Sequence, residues 1–137
     1  MTKRRRGARS ARPSMRRAQE RFERLVERAL AGIPAPFRVA LGEVAVVIED
    51  DASDEQLELA GLEPDEALYG LYEGTPRTAW GADLAAFPNK ISLFRLPLED
   101  DFPDPIELAE EVRVTVIHEL AHHLGIDDDR LHQLGVD

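Results

Sequence analysis

Four histidines lie within the last twenty residues of the chain, and two of them have a spacing suited to metal chemistry. His118 and His122 are four residues apart, which places two imidazoles on one face of a helix. Glu119 stands between them in the pattern H-E-x-x-H. Two histidines so arranged can hold one metal ion, and the carboxylate can reach a water on that ion. The pattern predicts a zinc hydrolase site, with His118 and His122 as ligands and Glu119 as general base.

The residues that follow the motif offer a third ligand. Gly125, three residues after the second histidine, can end the helix in a left-handed turn, so that the chain doubles back. Asp128 follows three residues later, where a third ligand is expected. Because Asp127 and Asp129 flank it, either could reach the metal instead, and one of them could cap a last short helix.

The other histidines and two helix residues have secondary roles in this prediction. His123 projects about 100° round the helix from His122, so it is not expected to bind the same metal. His132 could be a ligand, but a surface or supporting position is expected for it. Glu111 and Thr115 precede the histidines by one to two turns on a similar face, where they could hydrogen-bond a ligand.

The helix that carries the motif has a well-marked start. Asp104 is suited to cap it, Pro105 to occupy its first position, and Glu107 to accept hydrogen bonds in the first turn. No glycine or proline interrupts the stretch from there to Leu124. Apolar residues cover most of the circumference of its second half, which predicts a buried helix. Buried histidine and glutamate side chains need partners, and a metal ion is one such partner.

The remaining pattern predicts an α+β fold: a small mixed sheet with helices packed against it. An amphipathic helix is expected over Ser14–Leu30, and an irregular loop is expected over residues 75–88. The other expected elements are short helices over 36–41 and 54–60 and strands over 44–49, 68–74 and 90–95. By residue type alone, three side chains from these strands could stabilise an oxyanion: Tyr69, Tyr72 and Arg95.

Composition limits the cellular location and the class of metal site that the sequence predicts. The chain has no cysteine, so it forms no disulfide and no Cys-ligated zinc site. No run of eighteen apolar residues predicts a transmembrane helix. The arginine-rich start is not followed by the apolar segment of a secretory signal, so cytoplasm is the expected location.

Charge is distributed very unevenly along the chain. Residues 1–17 carry eight basic residues and no acid, which leaves nine basic against 27 acidic residues for the remainder. A like-charge run predicts a disordered basic arm over 1–17, followed by a single domain over 18–137. The acidic domain is not expected to bind nucleic acid through its own surface, although the arm could do so weakly and with strong salt dependence.

Three stretches resemble a small bacterial family of zincin-like metallopeptidases: Gly70–Gly74, Ile91–Arg95 and Val114–Leu134. The resemblance extends over residues 35–136, and the motif helix also resembles that of metzincins, with Asp128 in place of their third histidine. It implies a minimal zincin-like fold in one domain, with the sheet packed against the motif helix and an N-terminal helix. It also implies Zn²⁺ as cofactor and peptide-bond hydrolysis by a zinc-held water that Glu119 activates.

The expected partner is a peptide or protein substrate, and no membrane is expected. An extended peptide could pair with the strand over Lys90–Arg95 if that strand is a sheet edge. The alternative is a degenerate zincin with a structural metal that acts through protein contacts. Glu119 argues for the enzyme, because structural zinc needs no base, whereas the lack of a metzincin-type Met-turn argues for the alternative. A metal hydrolase recruited to nucleic acid by the basic arm is a third hypothesis.

Overall fold

The computed structural model describes residues 2–74 and 89–134, with side chains from Ser14 onward except those of Asp128 and Leu134. Six helices and three strands lie within these described residues. In chain order they are α1 (Thr2–Ala31), α2 (Phe37–Leu41), β1 (Ala45–Glu49), α3 (Asp54–Leu59), β2 (Gly70–Glu73), β3 (Lys90–Phe94), α4 (Arg95–Asp101), α5 (Pro105–Leu124) and α6 (Asp128–Leu134). The loop predicted over 75–88 lies outside the described residues.

The three strands form the small mixed sheet that the sequence predicts. β1 pairs with β3 in parallel, and β2 pairs with β3 antiparallel, so the strand order is β1-β3-β2. Ile91 lies opposite Val46 on one side and Tyr72 on the other. The edge position considered for the strand over Lys90–Arg95 is therefore wrong, because β3 is the central strand. The outward position predicted for Ser92 by the alternating pattern is also wrong, since Ser92 is as fully buried as its apolar neighbours.

The end of β3 also differs from the sequence prediction. The predicted strand runs to residue 95, but Arg95 already begins α4, and Pro97 lies in the first turn of that helix. The first backbone N–H groups of a helix have no partner inside it, so a proline there removes no helical hydrogen bond. The strand thus passes directly into a helix.

Helix α1 is longer than expected. It begins at Thr2, whereas the sequence placed the helix start at Ser14 and a disordered arm over 1–17. Arginine, which has high helix propensity, is abundant in this stretch. The division into a basic arm and a domain over 18–137 stays a prediction.

Helix α5 lies at the centre of the fold, in contact with α1, α2 and β2. Its start is as predicted: the Asp104 carboxylate accepts from the N–H groups of Ile106 and Glu107 at 3.1 and 3.0 Å. Its buried apolar residues join those of α1 and β3 in one core, which includes Phe22, Val26, Ile91, Leu93, Val112, Val116, Ile117 and Leu120. Among the described helices, none is both long and apolar enough to cross a membrane.

Candidate metal and catalytic site

The site residues of α5 differ in their exposure. The side chain of Glu119 is only 12% exposed, whereas that of His122 is 53% exposed, and His118 is half-buried. His122 Nδ1 lies 3.5 Å from Glu119 Oε1. The helix thus brings the proposed base next to one proposed ligand, with the carboxylate protected and an imidazole toward solvent.

The base is held by the neighbouring strand. The backbone N–H of Tyr72 donates to Glu119 Oε1 at 2.7 Å. This N–H is available because β2 is an edge strand, so alternate backbone groups point away from β3. A hydrogen bond to a carboxylate is among the stronger ones in proteins, so it fixes the orientation of the Glu119 carboxylate.

A glycine allows β2 to come this close to α5. A Cβ atom on Gly70 would lie 2.6 Å from Thr115 Cγ2, closer than side chains tolerate. Thr115 therefore packs its methyl group under β2. Among the described residues, Thr115 makes no hydrogen bond to a histidine. The approach of strand to helix depends on the missing side chain at Gly70.

We expect Gly70→Ala to lower the free energy of unfolding by about 1–3 kcal/mol, because overpacking forces β2 away from α5. Urea denaturation measures the change. Adding Thr115→Ser, which removes the obstructing methyl group, should recover part of the loss. Gly32→Ala is the matched control, since its Cβ would meet only Ala29 O at an ordinary 3.6 Å. Equal stability of the Gly70→Ala and Gly32→Ala chains would contradict this account.

His123, the next residue after the second ligand, points away from His122 by about a quarter turn of the helix and is completely buried. Its Nε2 lies 3.0 Å from Glu43 Oε1, and its Nδ1 lies 3.1 Å from the Tyr72 hydroxyl. The same hydroxyl donates to Asn89 Oδ1 at 2.9 Å. Burial raises the pKa of Tyr72. Sequence reasoning did not single out Glu43, since nothing local connects it with a histidine eighty residues later.

Glu111 is the one supporting residue of the prediction that interacts with a ligand in the described structure. Burial raises the pKa of Glu111, and the charge of nearby His118 partly opposes that rise. The two residues are seven apart, which is two helical turns on the same face. The Glu111 carboxylate therefore lies on the same helix face as the first proposed ligand, within range of its charge.

The other two oxyanion candidates have acidic partners elsewhere. The Arg95 guanidinium binds Asp50 at 3.1 Å and Glu99 at 2.7 Å. The hydroxyl of Tyr69 donates to Asp101, and this hydrogen bond raises the pKa of Tyr69 to about 12. Within the described residues, neither side chain donates to Glu119. The structure therefore does not bring Tyr69 or Arg95 into the site.

The turn after α5 is the one that the sequence predicts. Gly125 has φ of 75° in the left-handed region, and the next N–H, of Ile126, donates to Ala121 O at 2.8 Å. The Asp127 carboxylate accepts from Arg130 N–H at 2.8 Å and so caps α6. The side chain of Asp128 lies outside the described part, and the described side chains contain no group of three metal-binding residues. The third ligand stays a prediction.

The donor set suits zinc. His118 and His122 share one face, the Glu119 carboxylate lies beside His122, and the chain has no competing cysteine. Imidazole and carboxylate donors are those of catalytic zinc sites.

The comparison with curated proteins gave no match. A family model described as zincin-like metallopeptidase matches residues 41–136, the greater part of the chain, and the protein therefore belongs to the zincin-like metallopeptidase family.

Proposed function

We propose that the protein is a zinc-dependent peptidase in which Glu119 is the general base. The observation that carries the proposal is the placement of the Glu119 carboxylate, buried beside His122 and oriented by the Tyr72 N–H. His118, His122 and Asp128 would hold the zinc ion. A structural metal site would not need a protected carboxylate at this position.

The proposed chemistry divides between the metal and the chain. Bound zinc supplies a Lewis acid that lowers the pKa of water toward neutrality and polarises a carbonyl group. Glu119 accepts the proton of the attacking water and then donates it to the leaving amine. The Tyr72 N–H donates to Oε1 and so keeps the carboxylate from rotating away. Among the described residues no donor binds Oε2, the oxygen to which we assign the proton.

We propose that a peptide or protein substrate binds along β2 rather than along β3. An extended peptide adds to a sheet through an unpaired edge, and β3 has neighbours on both sides. β2 is the edge strand in contact with α5. Its position next to Glu119 favours it over β1 as the substrate-binding edge. Because Glu119 already binds the Tyr72 N–H, the peptide would pair with the other outward backbone groups of β2.

Cleavage of an unstructured protein tests the proposal. We expect the purified, zinc-loaded chain to cut β-casein into peptides that mass spectrometry detects, to stop with 1,10-phenanthroline, and to resume when zinc is returned. The His122→Ala chain, purified in the same way, controls for contaminating peptidases. Cleavage at the same rate by both preparations, or none by the zinc-loaded protein against β-casein and a mixed peptide library, would contradict the proposal.

A further inference from the structure

A polar cluster built around the buried His123 lies beside Glu119, and its side chains have no part in the proton transfer. It consists of Glu43, Tyr72, Asn89 and His123, joined by the contacts of 2.9 to 3.1 Å given above. The rings of Tyr72 and His123 are tilted by 60°, with centroids 5.6 Å apart. The cluster connects four segments: the C-terminal half of α5, the edge strand β2, the turn that precedes β1, and the residue that precedes β3.

Stability alone does not explain a histidine at this position. His123 is fully buried, and so are the apolar residues Leu120 and Ala121 that precede it on the same helix. A buried imidazole must have both nitrogens hydrogen-bonded, because an unsatisfied polar group in a core is costly. Replacing a buried ion pair by well-packed apolar residues often leaves stability unchanged or raises it. The position of the cluster therefore points to a role in the site.

Tyr72 is held at two points by residues of one helix face. Its backbone N–H donates to Glu119, and its hydroxyl binds His123, four residues further along α5. Glu43 in turn fixes His123. An ionised carboxylate can only accept hydrogen bonds, so His123 Nε2 must be the donor in this contact. The imidazole thus holds the tyrosine ring, and the ring, together with the pairing of β2 with β3, places the N–H of the same residue beside the base.

We propose that His123, anchored by Glu43, is a positioning residue that acts through Tyr72. It keeps the Tyr72 N–H on Glu119 Oε1 and thereby keeps the carboxylate in the orientation for proton transfer. The inference rests on the proposed function of Glu119 as base. Supporting residues of this kind typically contribute ten- to a hundredfold to activity.

Tyr72→Phe tests the inference, because it removes the hydroxyl but keeps the ring and the N–H. We expect kcat to fall about tenfold, with KM within about twofold and zinc content unchanged. In the zinc-free chain, we expect hydrogen exchange of amide 72, followed by NMR, to become about tenfold faster. Tyr69→Phe is the matched control, since it removes the hydroxyl of the neighbouring tyrosine, which binds Asp101, and should change neither quantity.

Glu43→Gln provides a second test at a residue whose side chain is 25% exposed and which can be changed with little risk to folding. Like Tyr72→Phe, it should lower kcat and make the exchange of amide 72 faster. The Tyr72→Phe/Glu43→Gln double variant should lose less kcat than the two single losses combined, because both substitutions act through His123. Unchanged amide exchange or unchanged kcat in Tyr72→Phe would overturn the positioning role. If wild type and Glu119→Gln cleave alike, the proposed function itself fails, and this inference fails with it.

Discussion

Glu119→Gln is expected to lower kcat/KM for peptide hydrolysis by about a thousandfold, within the range typical for loss of a general base. The amide has the shape of the carboxylate, and its oxygen can still accept from the Tyr72 N–H, but it cannot take a proton at neutral pH. Zinc content should stay at the wild-type level, because Glu119 is not a proposed ligand. The measurements are initial rates on a fluorogenic peptide and elemental analysis of the same sample.

Glu110→Gln is the matched control for this substitution. Glu110 lies on the same helix, but its side chain is 59% exposed and pairs with Arg113, so its loss should leave kcat/KM within about twofold. A Glu119→Gln chain that retains zinc and full function would contradict the enzymatic proposal. It would favour instead a degenerate zincin whose metal is structural and which acts through protein contacts.

The second large effect concerns the metal ligands. His118→Ala and His122→Ala should each weaken zinc binding by more than the ten- to hundredfold loss that follows removal of a supporting residue. A catalytic zinc site has only three protein ligands, so the loss of one imidazole leaves a poor site. His132→Ala is the matched control, because His132 is an exposed histidine of α6 and zinc should remain bound without it.

The three acids that follow α5 should respond differently to alanine substitution. Asp128→Ala should cause a loss of zinc comparable to that of His118→Ala. Asp127→Ala should mainly destabilise α6, by about 1 kcal/mol, because the Asp127 carboxylate caps that helix through Arg130 N–H. Asp129→Ala, at an exposed position, should change zinc content little. A large zinc loss in Asp129→Ala alone would move the third ligand to that residue.

The motif helix could be predicted from the sequence because its determinants are local. The cap at Asp104, the proline that follows it and the left-handed turn at Gly125 act within a few residues of their partners. The fixed geometry of a helix then places His118 and His122 on one face. The mixed sheet could be predicted in outline, since the strands are short runs of β-formers between turns.

The contacts that hold the base could not be predicted, because they depend on strand order. Nothing in the run Lys90–Phe94 distinguishes a central strand from an edge strand, and that distinction decides which N–H groups are unpaired. Tyr72 was considered for its side chain, yet it reaches Glu119 through its backbone. Glu43 joins His123 only once α2, β1 and α5 have packed together.

The zinc content of the purified protein tests the central claim most directly. After zinc is supplied and the excess is removed, elemental analysis should compare wild type with His118→Ala, and His132→Ala is the control. All samples should contain the same amount of folded protein. We predict one zinc ion per chain in wild type and in the control, and close to none in His118→Ala. Wild-type protein without stoichiometric zinc, or equal zinc in wild type and His118→Ala, would contradict the account.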